Sequence, residues 1–467
     1  GLLFARQVTV KSGTMKTGES DYLVLPESMA GRHIAYTGPD GYFFPVDLKE
    51  NLLYGLKLSP RQAAASLRRE AVRAGNPAYD AEADWIDYEA LGTHDPKVII
   101  DRIVDVLSMV ELETDVYQFG LQSRLDPALN GTAAERIVEA RLALYERMAT
   151  PDAANLVERF DPDAYNRNAS IAENILFGAS ADPLLQPHNL PTLPHFKRVV
   201  AEEGLEQHLV AMGESIAETM LELFRDFPPD HPFFDEFSFI PSNELPAYQQ
   251  VMKRAKTSGL TYDDRAQLSV LPLRYVEARH RLGLITPDIR ERLLAARRTF
   301  AETLSPDLAK RIAFYEEGKY NVAASIQDNI LLGRVAYGVA HAHERVGVLI
   351  REVLDRLDVR DLIIEAGLAF NAGAGGKRLT TGQRQKLGLA RALIKEPQLL
   401  VINGALANLD EQQKTSIVDR VLKHRAGKAT IWVLTKDDLA SRFDRVLVFE
   451  HGRLTADKAQ TLREAAQ

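Results

Sequence analysis

The stretch Arg378–Asp410, RLTTGQRQKLGLARALIKEPQLLVINGALANLD, holds the residues best spaced for chemistry. Leu379-Thr380-Thr381-Gly382-Gln383 heads a helix-like run in which Leu387, Ala390 and Ile394 share one face. A helix start presents unpaired backbone N–H groups and the positive end of the helix dipole, which is the chemistry of an oxyanion site. Gly382 lets the backbone approach such an anion closely, whereas the branched side chain of Thr381 crowds it. The apolar run Leu399-Leu400-Val401-Ile402 then predicts a short strand buried on both faces. It ends in Asn403 and Gly404, and Asp410 follows.

This frame resembles the ATPase domain of the ABC transporter family, from its signature helix through its Walker B strand to its D-loop. There the pattern runs LSGGQRQR…ARAL…P.LLLLDEATSALD. The resemblance implies a head-to-tail dimer, in which the signature of one domain closes over the ATP γ-phosphate held by the other. Thr380, Thr381, Gly382, Gln383 and Asp410 are thus the expected contacts to a partner's nucleotide. Thr380 keeps the hydroxyl of the usual serine, Gly382 keeps the second glycine, and Thr381 replaces the first.

The catalytic stations depart from the family pattern. Asn403 stands where the magnesium-binding aspartate belongs, and a neutral amide oxygen holds that cation poorly. Gly404 replaces the carboxylate that polarises the attacking water and offers no side chain for the task. Pro39 takes the place of the Q-loop glutamine, and Lys436 that of the switch histidine, as a flexible point charge. These four degenerate positions imply that the chain does not hydrolyse ATP by itself.

The lysine-bearing Walker A loop is expected just before Leu2, and the natural amino terminus upstream of it. Gly13–Ser20 imitates that loop, but Glu19 in the lysine position repels phosphate, so the segment reads as a turn. ATP and magnesium are therefore expected only with a partner or an upstream Walker A. A helix terminus alone supplies about 1–2 kcal/mol. Micromolar binding needs roughly 8 kcal/mol. The 11 histidines show no metal-ligand spacing, so no metal site is expected.

The bulk composition sets outer bounds. A chain of 467 residues, 45% hydrophobic and 26% charged, is long enough for two or three globular domains. A net charge of −8 argues against nucleic acid as a partner. The absence of cysteine excludes disulfides. No apolar run reaches the roughly 18–20 residues that span a bilayer.

The expected fold is α/β: a P-loop NTPase-like core of the ABC ATPase type, with a helical subdomain and a large, mostly α-helical insertion. Residues 1–55 read as the front of the core, with Ile34-Ala35-Tyr36 as a strand and DLKENLLYG (Asp47–Gly55) resembling the family's T-I-R-E-N-I-L-Y-G. Residues 56–318 read as the insertion, and residues 319–467 as the signature, Walker B and D-loop half. One sheet is expected to join Ile34–Tyr36, Leu399–Ile402 and Thr430–Leu434, with Val446–Phe449 a further strand of the same kind.

Inside the insertion the chain repeats itself. YNRNASIAENILFG (Tyr165–Gly178) and YNVAASIQDNILLG (Tyr320–Gly333) echo each other and Asp47–Gly55, which points to partial duplication. Glu135–Arg141 resembles the family's QRIALAR helix. Thr286-Pro287 predicts a helix start, with Ile289, Leu293, Ala296 and Phe300 on its inner face. The aromatic segment Phe224–Pro246 reads as core filling, or else as a docking surface.

Three functions are consistent with this pattern. The first is a degenerate, non-hydrolytic nucleotide-binding domain of a bacterial ABC-type transport system, on the cytoplasmic face of the inner membrane. Its partners would be a transmembrane domain, upstream or on another chain, and a second ABC ATPase domain. The second is an ABC-derived scaffold or regulatory adaptor with no nucleotide role. The third is an ATPase active only with a competent partner domain.

Overall fold

In the computed structural model, residues 1–17, 19–57, 65–79, 84–128, 131–225, 227–228, 234, 238–434 and 437–459 are described. From the amino terminus, β1 (Ile34–Thr37) and α1 (Leu48–Leu53) precede α2 (Pro96–Met109) and α3 (Gly131–Met148). Then come β2 (Val157–Arg159), α4 (Ile171–Leu176), β3 (Gly178–Ala179) and α5 (Pro287–Glu302). β4 (Ala313–Phe314), α6 (Ile326–Leu331) and β5 (Gly333–Val335) repeat the earlier strand–helix–strand order. The last part carries α7 (Thr381–Ile394), β6 (Leu399–Asn403), α8 (Glu411–His424), β7 (Ala429–Val433), β8 (Arg445–Glu450) and β9 (Arg453–Ala459).

The chain forms two compact units, Gly1–Gly120 with Ile363–Gln467, and Leu121–Leu362. The cuts fall at 120/121 and 362/363, whereas the sequence suggests 55/56 and 318/319. The first unit keeps α2 because that helix packs on α7.

A parallel sheet of order β1-β6-β7 lies in the first unit, pairing Ile34 with Leu399 and Leu399 with Ala429. β6 sits between two strands, and its Leu400, Val401 and Ile402 are fully buried, as a continuous apolar run requires. α7 covers β1 and β6. The expectation for Val446–Phe449 does not hold. Among the described residues β8 pairs antiparallel with β9 alone, and Leu447 and Phe449 stay exposed. The two-residue turn His451-Gly452, with φ of 47° and 77°, folds the strand back on its successor.

The repeat has a physical core. α1, α4 and α6 start alike: Asp47, Ser170 or Ser325 caps the helix by accepting the N–H of Glu50, Glu173 or Asp328. The next residue is in each case a buried asparagine. Asn51, Asn174 and Asn329 turn back into the loop before the helix, accepting the N–H of Phe44 (3.0 Å), Asn166 (2.9 Å) and Asn321 (2.7 Å). Their amide nitrogens return a bond to carbonyls of the same loops.

An arginine from a second helix locks each loop. Arg391 of α7 donates Nε to Asn51 O (2.8 Å) and Nη2 to its Oδ1 (3.0 Å). Arg297 of α5 does the same at Asn174 (2.7 and 3.1 Å), and Arg141 of α3 at Asn329 (2.7 and 3.3 Å). The remaining guanidinium nitrogen reaches loop carbonyls: Tyr42 O, or Asp161 O, Pro162 O and Ala164 O, or Glu316 O, Glu317 O and Lys319 O. Arg141 is fully buried and Arg297 nearly so. Burial pulls Arg297 and Arg391 down to about 10 and lowers Arg141 as well.

The pairing is nested along the chain. α1 packs on α7, α3 on α6, and α4 on α5. In the second unit the two copies embrace. β2 pairs with β5 and β3 with β4, both antiparallel. Phe160 N–H donates to Leu332 O and Tyr315 N–H to Phe177 O, and the Phe160 and Tyr315 rings stack at 4.3 Å. Phe177 and Leu332 share left-handed backbone, with φ of 44° and 36°. Arg334 bridges Glu173 and Asp328. Burial opposes its charge, but those two carboxylates outweigh burial and raise its pKa.

The helix start at Thr286-Pro287 forms as expected, and Ile289, Leu293, Ala296 and Phe300 are buried. Phe224, Phe234, Phe239 and Ile240 of the aromatic segment also lie in this core, whereas Phe227 is exposed. Phe239 packs against His280 with the rings tilted at 51°, and the His280 Nδ1 accepts the Val276 N–H (2.9 Å). Burial, with Arg279 as the second cause, lowers His280 to about 4 from 6.5. The folded state thus holds this ring neutral where the unfolded chain charges it. Stability from this group is fully present above pH 6.5 and is lost as pH falls toward 4, by an amount on the order of 2–3 kcal/mol. Urea unfolding of the wild type and His280→Phe between pH 7 and 4 checks this. The variant should show a flatter profile across that window, and equal slopes would contradict the assignment.

Candidate functional site

α7 starts with a capping box. Thr380 Oγ1 accepts the Gln383 N–H (3.2 Å), and Gln383 Oε1 accepts the Thr380 N–H (2.9 Å). Gln383 Nε2 donates to Asp115 Oδ1 (2.7 Å). The Thr380 hydroxyl and the Gln383 amide are thus committed inside the protein. The first two helical N–H groups, of Thr381 and Gly382, remain for an outside acceptor. Thr381 is exposed, and its hydroxyl accepts from Arg384 (3.1 Å).

The sheet brings Asn403, Gly404 and Pro39 together. Asn403 ends β6, and its amide donates to the Tyr36 hydroxyl of β1 (3.4 Å). Gly404 follows with φ of 66°, a conformation that strains any side chain. A Cβ built on Gly404 meets Pro39 Cδ at 3.8 Å. Gly1 lies here too: a Cβ on it comes 2.9 Å from Val433 and 3.4 Å from Asn403 Cγ. At the carboxyl end of β6 the chain thus offers an amide and a bare backbone. Lys436 and Thr435 lie outside the described residues, as does Gly18 of the Gly13–Ser20 turn.

Asp410 caps α8, accepting the Gln413 N–H (2.8 Å). The loop from Gly404 to Asp410 is tied to α7 at two points. Leu409 Cδ2 lies 3.1 Å from where a Cβ on Gly382 would stand, so the loop packs closely over that glycine and would have to give by a few tenths of an ångström to admit a side chain. Gln385 Oε1 accepts the Asn408 N–H (3.1 Å), while its Nε2 is buried without a partner. Gln385 and Asp115 were absent from the sequence reading. The one available signal is a glutamine on the inner face of α7, two residues before Leu387.

A cavity of about 230 Å³ opens between this loop, α8 and β7, lined by Ala405, Leu406, Lys414, Val418, Trp432 and Val433 among others. Among the described residues no cluster of three or more His, Asp or Glu side chains suits a metal ion.

A parallel α/β sheet with this helix start fits a P-loop-like core. No family model matches the chain. Similarity to characterised proteins is clear over about a third of it. The chain is 31% identical over 153 residues to an ATP-dependent lipid A-core flippase of Xylella fastidiosa, which is 32% of this chain and 25% of that protein. It is 31% identical over 149 residues to the heterocyst differentiation ATP-binding protein HepA of a Nostoc species, covering 32% and 23%. It is 30% identical over 139 residues to the ABC multidrug transporter mdr4 of Aspergillus fumigatus, covering 29% and 10%. The chain's homologues are ABC transporter proteins, consistent with an ABC ATPase domain. The match spans a quarter or less of the length of these relatives.

If Thr380 and Asp410 serve chiefly as caps, Thr380→Ala and Asp410→Ala should each lower the unfolding free energy by about 1 kcal/mol. Their effects should add, because the two caps share no contact. Denaturant titration of the single and double variants measures this. An unchanged midpoint in either single variant would show that the cap carries no stability.

Proposed function

We propose that this chain is a degenerate nucleotide-binding domain of an ABC-type membrane transport system. It works without hydrolysis, transmitting shape through a dimer interface with a competent ATPase domain. The observation that carries this reading is the end of β6, where Asn403 and Gly404 stand beside Pro39. An amide in place of a carboxylate holds magnesium weakly, and a glycine cannot orient water. The left-handed φ of Gly404 adds to this, since a glutamate there would be strained.

On this reading Thr381 and Gly382 offer their N–H groups to a partner's γ-phosphate, with Thr380 and Gln383 holding the helix start rigid behind them. Asp410 positions the loop that faces the partner. ATP and magnesium reach the chain only through a partner domain or an upstream Walker A. A transmembrane domain is the other partner. Among the described residues no helix is long and apolar enough to cross a membrane. The chain would then sit at the cytoplasmic face of the inner membrane.

A second reading, an adaptor that keeps the frame for interaction only, draws support from the local employment of Thr380, Gln383 and Asp410. The two readings part on a partner's ATP. In the first, ATP tightens pairing with a competent domain and a bulky change at Gly382 weakens it. In the second, ATP has no effect.

The direct test is magnesium-dependent phosphate release by the purified chain. Turnover should not exceed background, and Asn403→Ala should leave it unchanged. Steady turnover that Asn403→Ala abolishes would remove the non-hydrolytic reading.

A further inference from the structure

The two copies of the repeat in the second unit agree where they hold each other and differ at one outer face. Tyr165, Asn166 and Asn174 of the first correspond to Tyr320, Asn321 and Asn329 of the second. Arg167-Asn168, however, corresponds to Val322-Ala323, and Glu158 to Ala313. All three residues peculiar to the first copy line a single cavity of about 550 Å³, together with Glu277, Arg281 and Tyr337. In the second copy Val322 is 54% exposed. One copy has gained polar chemistry that the shared frame does not need.

The bonds within the cavity show which capacity is left over. Glu277 accepts from Arg167 Nε (3.1 Å) and from Arg290 Nη2 (3.4 Å), one carboxylate between two guanidinium groups. Glu158 Oε2 accepts both the N–H (2.9 Å) and the amide (2.7 Å) of Asn168. The Asn168 carbonyl oxygen accepts the Tyr337 N–H (2.7 Å). Glu277 is thus met by two guanidinium groups, and Glu158 by Asn168 at one of its two carboxylate oxygens.

Arg281 is held at a left-handed φ of 52° and donates Nε to Ala278 O (3.2 Å). Its Nη2 lies 2.5 Å from where a Cβ on Gly338 would stand, so the guanidinium packs directly over that glycine, whose φ is 87°. Arg290 Nε is buried without a partner. Tyr165 is 6% exposed, and its hydroxyl has no partner, whereas the Tyr320 hydroxyl accepts the Leu125 N–H (3.0 Å). Arg290 and Tyr165 lie behind the cavity, whose own lining carries two guanidinium groups, Arg167 and Arg281, beside Glu158 and Glu277.

We propose that this cavity binds a small oxyanion ligand, a phosphate monoester or polycarboxylate, with Arg281 and Arg167 as its main contacts. Guanidinium forks suit such oxygens because two parallel N–H groups match their spacing. The cavity lies wholly within the second unit, so the proposal stands apart from the signature-helix reading.

Calorimetry of the whole chain with citrate and with glycerol 3-phosphate, at fixed ionic strength, tests it. Saturable binding of at least one probe is expected, weakening as salt rises. Arg281→Met should reduce affinity about tenfold or more. Arg281→Lys, which keeps the charge and loses the fork, should weaken it less, and Val322→Thr in the sister copy should change nothing. Thermal melts establish that each variant folds; if Arg281→Met does not, Arg281→Lys carries the test. Absence of saturable binding by both probes would overturn the proposal. So would an affinity that neither Arg281→Met nor Arg281→Lys alters.

Discussion

A guanidinium group buried among neutral carbonyl oxygens is the constraint on which this molecule rests. Arg141, Arg297 and Arg391 give up hydration and gain main-chain oxygens and an asparagine side chain rather than a carboxylate. Removing a charge from water is costly unless its donors are met. Each loop before α1, α4 and α6 is shaped to meet them, and each asparagine holds the loop in that shape. The loop is therefore formed only when the arginine helix is in place, and the arginine is tolerated only when the loop is formed.

The same coupling fixes the candidate site. Arg391 anchors the middle of α7 to the loop before α1, while α7 covers β1 and β6. Its amino end is then set by the capping box, by Asp115 and by the contacts of Gly382 and Gln385 with the following loop. The helix start and the end of β6 are thus held as one rigid construction. Asn403 and Gly404 stand at the end of β6 within this construction, beside Tyr36 and Pro39.

Much of this is legible in the sequence. Leu399–Ile402 is apolar without interruption, and only a strand covered on both faces accommodates that, so its central place in a parallel sheet follows. The cap at Thr286 is local chemistry and is read directly, and the repeat marks the helices that Asp47, Ser170 and Ser325 cap. The choice of partner is not local. Every asparagine helix carries the same loop and every arginine helix the same donor, so the nested order of pairing depends on the intervening chain. For the same reason Val446–Phe449 reads as a sheet strand yet forms the exposed hairpin with β9: its apolar residues are alike, and the turn at His451-Gly452 decides. Gln385 and Asp115 escape because their roles exist only once α7 meets distant segments.

The most direct measurement is a set of three double-mutant cycles, each pairing an arginine-to-methionine with an asparagine-to-leucine change: Arg391 with Asn51, Arg297 with Asn174, and Arg141 with Asn329. Urea unfolding supplies the free energies. Mutually dependent partners should give a coupling of about 1–3 kcal/mol in every pair. The mismatched pair Arg391 with Asn174 should give none. Additive effects within the matched pairs, or coupling as large in the mismatched one, would contradict the account.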